Sequence, residues 1–178
     1  MLVVWSYRQM GIAQVENREL RAKQGILTIE DPTRIYILQL HTLEDMHWRW
    51  RIYLPAKHKF SILFATDDHI PVKAAFPEGP HTGFGADPGE FTLDAAIVQN
   101  SHGKWQAELS NGATNYSAMS SQFTGSIDGA EINSGNFQAE GQILLLRAIK
   151  EPAGNKHAVP FSVPGPGVMI WIDEEKAS

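Results

Sequence analysis

The residues best suited to chemistry lie in one stretch, HWRWRIYLP, at positions 47 to 55. Successive side chains of a β-strand point to opposite faces, so this stretch divides by parity. One face carries the apolar residues Trp48, Trp50, Ile52 and Leu54. The other face carries His47, Arg49, Arg51 and Tyr53. We expect the apolar face to be buried and the polar face to point outward.

The polar face of residues 47 to 53 is the candidate ligand-binding surface. Arginine forms paired hydrogen bonds with anionic groups, and its cation interacts with aromatic faces. One interpretation is therefore a surface that binds an anionic polymer or a carbohydrate. The other is that the arginines pair with acidic residues on neighbouring strands. The acidic candidates for such pairs are Glu30, Asp94 and Glu108.

Histidine and carboxylate side chains raise the question of a metal site, since both are ligands of zinc and non-haem iron. The residues concerned are His41, His47, Asp67, Asp68 and His69. Their spacing contains neither HxH nor HExxH, so we interpret them as scattered polar residues and expect no metal or cofactor. The chain has no cysteine, which excludes disulfides, thiolate nucleophiles and zinc–thiolate sites within it.

Nucleophilic and phosphate-binding motifs are also missing from the sequence. There is no GxSxG elbow for a serine nucleophile. The glycines of GFGADPGE, at positions 83 to 90, are not followed by a lysine or a predicted helix, so they fit a turn better than a phosphate loop. No catalytic residue is therefore assigned.

Paired carboxylates are the one route to an enzyme that stays open. Glycoside hydrolysis requires two acidic side chains on either side of the scissile bond. The acidic residues considered for this role are Asp94, Glu108, Glu131 and Glu140. We expect the first two to share the polar face of one hairpin, where the plainer interpretation is a solvated strand surface.

From residue 26 onward the hydrophobic pattern has a period of two, which predicts strands. Strands are expected at 26–30, 34–40, 46–54, 59–66, 91–98, 104–110, 137–150 and 168–175. Some eight to ten short strands with frequent turns predict a mainly β fold, an antiparallel β-sandwich or alternatively a barrel-like arrangement. Both faces of 59–66 are apolar, which predicts a central strand covered on each side. The proline- and glycine-rich residues 67 to 90 are expected to be a long loop and the rim of any site.

Residues 1 to 24 are predicted to form one N-terminal α-helix, because they lack proline and are rich in good helix formers. Gly25 is placed to cap its C-terminus. The helix could dock on the β domain or serve as a stalk or coiled coil. The apolar MLVVW followed by Tyr7 and Arg8 also matches the exit end of a membrane helix. Residues 25 to 178 are expected to form a single mainly-β domain.

Composition sets the broad class of the protein. The chain has 178 residues with 43% hydrophobic content, enough for a sizeable core. Its formal net charge of −5 provides no basic field, so we expect no nucleic-acid partner.

The order of N-terminal features carries a resemblance. WSYRQ is followed by ENRELRAKQG, LTIEDPTRIYI and WRWRIYLP. This resembles uncharacterised planctomycete-type bacterial proteins in which a membrane helix precedes a short charged helix and a β domain. The resemblance covers residues 3–55 and implies a membrane anchor, although the sequence lacks the full span. It implies no activity and no catalytic residues.

Together these patterns favour a non-enzymatic binding or structural module of the cell envelope. We expect it to be tethered, or associated with a partner, through its N-terminal helix. The alternative is a hydrolase acting on polysaccharide, with an acidic pair in a β-sandwich groove. The sequence specifies neither the ligand nor the oligomeric state.

Overall fold

Eleven β-strands make up most of the described chain. The computed structural model describes residues 16–17, 20–71, 75–77, 81–102, 105–118, 127, 129–150 and 165–175. The strands are β1 (Ile35–Leu40), β2 (His47–Leu54), β3 (Phe60–Ile70), β4 (Thr82–Ala86), β5 (Gly89–Gln99), β6 (Trp105–Ser110), β7 (Asn115–Ala118), β8 (Gly129–Ile132), β9 (Gly135–Phe137), β10 (Gln142–Ile149) and β11 (Gly165–Glu174). Helical residues within these ranges are confined to 16–17 and 20–23. Most of the predicted helix, residues 1–15, lies outside the described residues.

The strands form two antiparallel sheets. The six-stranded sheet has the order β7-β6-β5-β2-β1-β9, and the five-stranded sheet has the order β4-β3-β11-β10-β8. As described, each sheet is open and has two edge strands, so the mainly β prediction is confirmed and the closed-barrel alternative is wrong. Neighbouring strands of each sheet pair in an antiparallel orientation, for example β2 with β5 and β3 with β11.

A single large hydrophobic cluster takes side chains from both sheets. Trp50 and Leu93 come from the six-stranded sheet, and Phe64 and Ile170 come from the five-stranded sheet. Trp50 is fully buried. Its burial removes a large apolar area from water, and each Å² removed stabilises the folded state by about 25 cal/mol. The parity prediction for residues 47 to 54 is confirmed, because Trp48, Trp50, Ile52 and Leu54 are all buried.

Strand β3 is covered on both sides, as its sequence predicts. Phe60, Ile62 and Phe64 belong to the large cluster, whereas Ala65 lies in a second cluster on the opposite face of the sheet. Trp171 of the neighbouring β11 is buried in that second cluster. The five-stranded sheet therefore has apolar side chains on both of its faces.

Three expected elements differ in the structure. The single strand expected at 137–150 is interrupted at 138–141, so that Phe137 ends β9 and Gln142 begins β10. Residues 26–29 do not form a hairpin strand but an irregular segment. Within the described part of the loop expected at 67–90, β3 continues to Ile70, and β4 and the start of β5 follow. Glycine and proline suggested a loop, but β4 pairs with β3 over five residues and places Phe84 at the core. Non-local pairing thus outweighs local turn composition here.

The pairing of β4 with β3 depends on a glycine, and this gives a matched pair of substitutions. A Cβ at Gly83 would lie 2.1 Å from the Ile62 carbonyl oxygen, whereas a Cβ at Gly85 would meet nothing within 4 Å. We expect Gly83→Ala to lower the free energy of unfolding by about 1–3 kcal/mol through overpacking. Gly85→Ala, on the same face of the same strand, should change it by less than about 0.5 kcal/mol. Urea denaturation measures both values, and equal effects would contradict this account of β4.

Candidate functional site

The N-terminal helical turn ends at a glycine cap. Gly25 has a φ of 72°, in the left-handed region that glycine adopts without strain. Its N–H donates to the Ala22 carbonyl at 2.9 Å, and the Ile26 N–H donates to the Arg21 carbonyl at 2.9 Å. These two bonds are those of a Schellman motif, so the predicted cap is confirmed. The cap turns the chain away from the helix axis at this point.

The segment that begins at this cap, residues 25–32, crosses the outer face of the six-stranded sheet. We call it the N-terminal strap. At one end its Gly25 carbonyl accepts a hydrogen bond from Arg51 Nη1 at 3.0 Å. At the other end its Pro32 carbonyl accepts one from the Tyr53 hydroxyl at 3.2 Å. Two of the four predicted ligand-binding residues therefore hold the chain's own backbone.

Further contacts fix the far end of the strap. The Tyr36 hydroxyl of β1 accepts hydrogen bonds from the N–H groups of Glu30, at 3.2 Å, and Asp31, at 2.8 Å. Beyond it, the Thr33 hydroxyl and backbone N–H both donate to Asp31 Oδ1. These bonds hold the pKa of Asp31 below its ordinary value of 3.8. The turn predicted at Asp31-Pro32 is thus present, but it connects the strap to β1.

The other two predicted residues, His47 and Arg49, meet at one carboxylate. Asp94 Oδ1 accepts a hydrogen bond from Arg49 Nε at 2.5 Å and lies 3.1 Å from His47 Nε2. Arg49 and Asp94 are direct register partners on β2 and β5, so the sheet itself aligns them. His47 Nδ1 lies 3.6 Å from Glu44 Oε2 at the β1–β2 connection. Of the three acidic partners expected, Asp94 is confirmed.

Arg51 has an acidic partner that the sequence did not indicate. Its Nε lies 3.2 Å from Glu90 Oε1, a pair of partly exposed groups. Glu90 is paired in register with Tyr53, so it is the diagonal neighbour of Arg51. Glu90 lies in the segment 67–90, which the sequence predicts to be a loop, so the sequence predicts no strand partner for it.

Beside the Asp94 cluster, a groove of about 430 Å³ opens across β5, β6 and β7. It is lined by His47, Arg49, Asp94, Ala96, Glu108, Leu109, Ser110, Asn115, Tyr116 and Ser117. Its formal charges are one arginine against two carboxylates, with neutral hydroxyl and amide groups around them. Glu108 accepts a hydrogen bond from Gln106 Nε2 at 2.6 Å. This mixture of fixed donors and acceptors suits a ligand rich in hydroxyl groups.

The aromatic residues contribute little flat surface to the groove. Trp48 and Trp50 point into the core. Tyr116 stacks on Phe84 of the other sheet, with ring centroids 4.9 Å apart and planes 8° apart. This pair closes the core at the β7 edge, and it makes the groove a hydrogen-bonding site more than a stacking platform.

Only two of the four acidic residues considered for hydrolysis lie in the same groove. Asp94 and Glu108 both line the groove. They are diagonal neighbours, because Asp94 pairs with Ser110 and Ala96 pairs with Glu108, and diagonal positions lie about 7–8 Å apart. Glu131 instead pairs with Arg147 on the five-stranded sheet, and Glu140 is exposed between β9 and β10.

No metal centre is formed by the described part of the chain, and its Ser101–His102 contact, at 3.4 Å, joins two exposed neighbours in the β5–β6 turn. Among the described residues, no group of three or more His, Asp or Glu side chains is close enough to hold a metal ion. His41 is exposed, and the side chains of residues 67–69 lie outside the described part. The two ring nitrogens of His47 face carboxylates, whereas a catalytic triad requires one of them to face a serine hydroxyl.

Sequence reasoning missed the groove residues Ser110, Asn115 and Ser117. A signal was available for Ser110, which continues the outward parity of Gln106 and Glu108 on a predicted strand. None was available for Asn115 and Ser117, because the polar residues 110 to 136 predict no particular strand register.

The described residues contain no helix long and apolar enough to cross a membrane. Comparisons with protein-family models, curated proteins and solved structures found no match to this chain.

The attachment of the strap can be tested at Arg51. Arg51→Met removes the hydrogen bond to the Gly25 carbonyl and the ion pair with Glu90. A hydrogen bond from a charged group contributes about 1.5–3 kcal/mol. We therefore expect amide hydrogen exchange at Gly25 and Ile26 to accelerate by roughly tenfold or more.

Two further variants control this measurement. Arg49→Met removes an arginine from the same face without touching the strap, so exchange at Gly25 and Ile26 should not change. Glu90→Gln removes only the ion pair and should have a small effect, because exposed pairs contribute little. Similar exchange in all three variants would show that Arg51 does not hold the strap.

Proposed function

We propose that this chain is a non-enzymatic binding module of the cell envelope whose ligand is a neutral carbohydrate bound in the groove beside Asp94. The observation that carries the proposal is the Arg49–Asp94–His47 cluster at the wall of a 430 Å³ groove. A carboxylate held by a guanidinium and an imidazole is fixed before any ligand arrives. Sugar hydroxyls donate and accept hydrogen bonds, and such fixed partners reduce the entropy lost on binding.

The charges favour a neutral sugar over an anionic polymer. Arg49 is already paired with Asp94, and Arg51 with Glu90. Glu108 adds a further negative charge to the groove. Arg51 also contacts the strap, so it is not available as a separate cation. A polyanion would therefore meet more carboxylates than free cations on this surface.

We also infer that the two sheets pack face to face as a β-sandwich. The large cluster contains side chains of both sheets, and the Phe84–Tyr116 stack links β4 to β7. In such a sandwich the outer face of the six-stranded sheet is divided between two tasks. The β1–β2 side carries the strap, and the β5–β7 side carries the groove.

The envelope location and the N-terminal attachment are part of the same proposal. The exposed large apolar side chains of the described residues are Leu20, Ile26, Ile29 and Leu43. Three of them lie in the helical turn and the strap, and the fourth lies in the β1–β2 connection. Apolar side chains concentrated in one region favour contact with a partner or a membrane surface. This supports tethering or partner association through the N-terminal segment.

A hydrolase acting on polysaccharide is the second candidate function. Its support is the diagonal placement of Asp94 and Glu108 in one groove, with their backbone positions about 7–8 Å apart by register. Inverting glycosidases hold their two carboxyl groups about 6.5–9.5 Å apart, a separation that side chains on diagonal positions can reach. Against it, Asp94 Oδ1 already binds Arg49 and contacts His47. A catalytic role for Asp94 would have to break or share those contacts.

Binding to a panel of neutral and acidic oligosaccharides, followed by titration calorimetry, tests the proposal. We expect a neutral oligosaccharide to bind, and we expect Arg49→Ala and Asp94→Asn each to weaken it by about tenfold, which corresponds to about 1.4 kcal/mol. Glu140→Gln is the matched control, because it removes an exposed carboxylate outside the groove. Unchanged affinity in both groove variants, or binding of acidic sugars alone, would overturn this assignment.

The same panel separates binding from hydrolysis. Release of new reducing ends by the native protein, lost in both Asp94→Asn and Glu108→Gln but kept in Glu140→Gln, would replace the binding module with the enzyme. Binding without any product over a prolonged incubation is the result we expect.

A further inference from the structure

A buried arginine lies on the opposite side of the protein from the groove. Arg147 of β10 is only 1% exposed, and it is the one buried charged residue among those described. A guanidinium removed from water needs compensating partners, because desolvation of a charge is costly. Its neighbours therefore indicate what the site can bind.

A bulge directs Arg147 to the outer face of the five-stranded sheet. In the pairing of β10 with β11, the register shifts between Leu144 and Leu146. Leu145 is the extra residue and packs in the large cluster with Leu146. Because of this insertion, Leu144 and Arg147 share the outer face although they are three positions apart. Bulges of this kind re-aim a side chain and are frequent beside binding sites.

The guanidinium of Arg147 is only partly satisfied. Its Nη1 donates to Glu131 Oε2 at 2.6 Å, and its Nη2 donates to the Ala75 carbonyl at 3.2 Å. Its Nε is fully buried and has no hydrogen-bond partner among the described residues. Nε and Nη2 form the side of the guanidinium fork that binds a carboxylate through two parallel hydrogen bonds. One of these two donors is thus unused, and the other holds a single neutral carbonyl.

A pocket of about 350 Å³ lies beside this side chain. It is lined by Phe76, Glu131, Asn133, Phe137, Gln142, Ile143, Leu144 and Arg147. Phe76 also packs against Trp171, with ring centroids 6.0 Å apart. The indole Nε1–H of Trp171 is a second buried donor without a described partner. The pocket therefore places the unused Nε–H of Arg147 beside apolar side chains, and the Trp171 donor lies behind Phe76 and outside the lining.

We propose that this pocket binds a carboxylate attached to an apolar group, with the carboxylate on Nε and Nη2 of Arg147. The ligand displaces the Ala75 carbonyl from Nη2, and its apolar group packs against Phe76 and Leu144. Glu131 keeps its contact with Nη1, so the arginine bridges two carboxylates. A small aromatic acid and the C-terminus of a peptide share this chemistry. The site is independent of the carbohydrate groove.

Benzoate is the probe for the test, with benzamide and acetate as comparisons. In ¹H–¹⁵N spectra of the whole chain, we expect benzoate to shift the Arg147 Nε–H and Trp171 Nε1–H signals in a saturable manner. Benzamide lacks the negative charge and acetate lacks the apolar ring, so each should bind at least tenfold more weakly. Equal binding of all three probes, or no saturable shift with benzoate, would refute the site.

Arg147→Met tests the role of the guanidinium directly. This variant should fold, because methionine suits an apolar surrounding and Glu131, which is 42% exposed, can be solvated without its partner. We expect benzoate affinity to fall at least tenfold, whereas Arg49→Met, on the other sheet, should bind as the native protein does. Undiminished binding by folded Arg147→Met would contradict the proposal.

Glu131→Gln gives a second readout that retains the arginine and does not depend on the methionine variant folding. Removing a carboxylate next to the ligand's own should strengthen benzoate binding by severalfold, and a weaker affinity would count against the bridge. A short peptide ending in Phe, with a free or an amidated C-terminus, distinguishes the two sources of carboxylate. Binding of the free peptide would assign a chain terminus, and binding of benzoate without it would assign a small acid.

Discussion

Burial of the apolar face of β2 is the constraint on which the outer surface of the six-stranded sheet depends. Trp50, Ile52 and Leu54 are fully removed from water, and a shift by one residue would expose them all. That cost excludes every register that would exchange the two faces of β2. In the register adopted with β5, Arg49 lies opposite Asp94 and Tyr53 opposite Glu90. The arrangement of the polar side chains on this face therefore depends on the burial of the apolar side chains on the opposite face.

The same sheet face carries the strap and the groove on neighbouring outward residues. Arg51 holds the strap, and Arg49, two positions earlier on the same face, forms the wall of the groove. Displacement of the strap would remove a partner of Arg51, whose other contact is Glu90 at the start of β5. Strand β5 also carries Asp94. The strap and the groove are thus linked through Arg51, Glu90 and β5.

Sequence reasoning reached the parts of this structure that depend on local periodicity. Alternation assigned the two faces of β2 and the double coverage of β3, and it identified Asp94 as a partner for the arginines. It did not place the strap, because residues 26–30 alternate as a strand does but lie across the sheet face. It also missed β4, in which Gly83 is required by close approach to Ile62 and not by a turn. The unused donor of Arg147 depends on a bulge and on a distant carbonyl, and neither leaves a trace in local composition.

The lengths of the strands have a consequence for how the protein behaves when crowded. Two of the edge strands, β9 and β4, have three and five residues and end within the described part of the chain. The interior strands have six to eleven. Exposed edges offer unpaired backbone groups on which another molecule can add a strand, and short edges offer little length for such addition. Many copies held side by side on one surface would therefore resist edge-to-edge aggregation through β9 and β4.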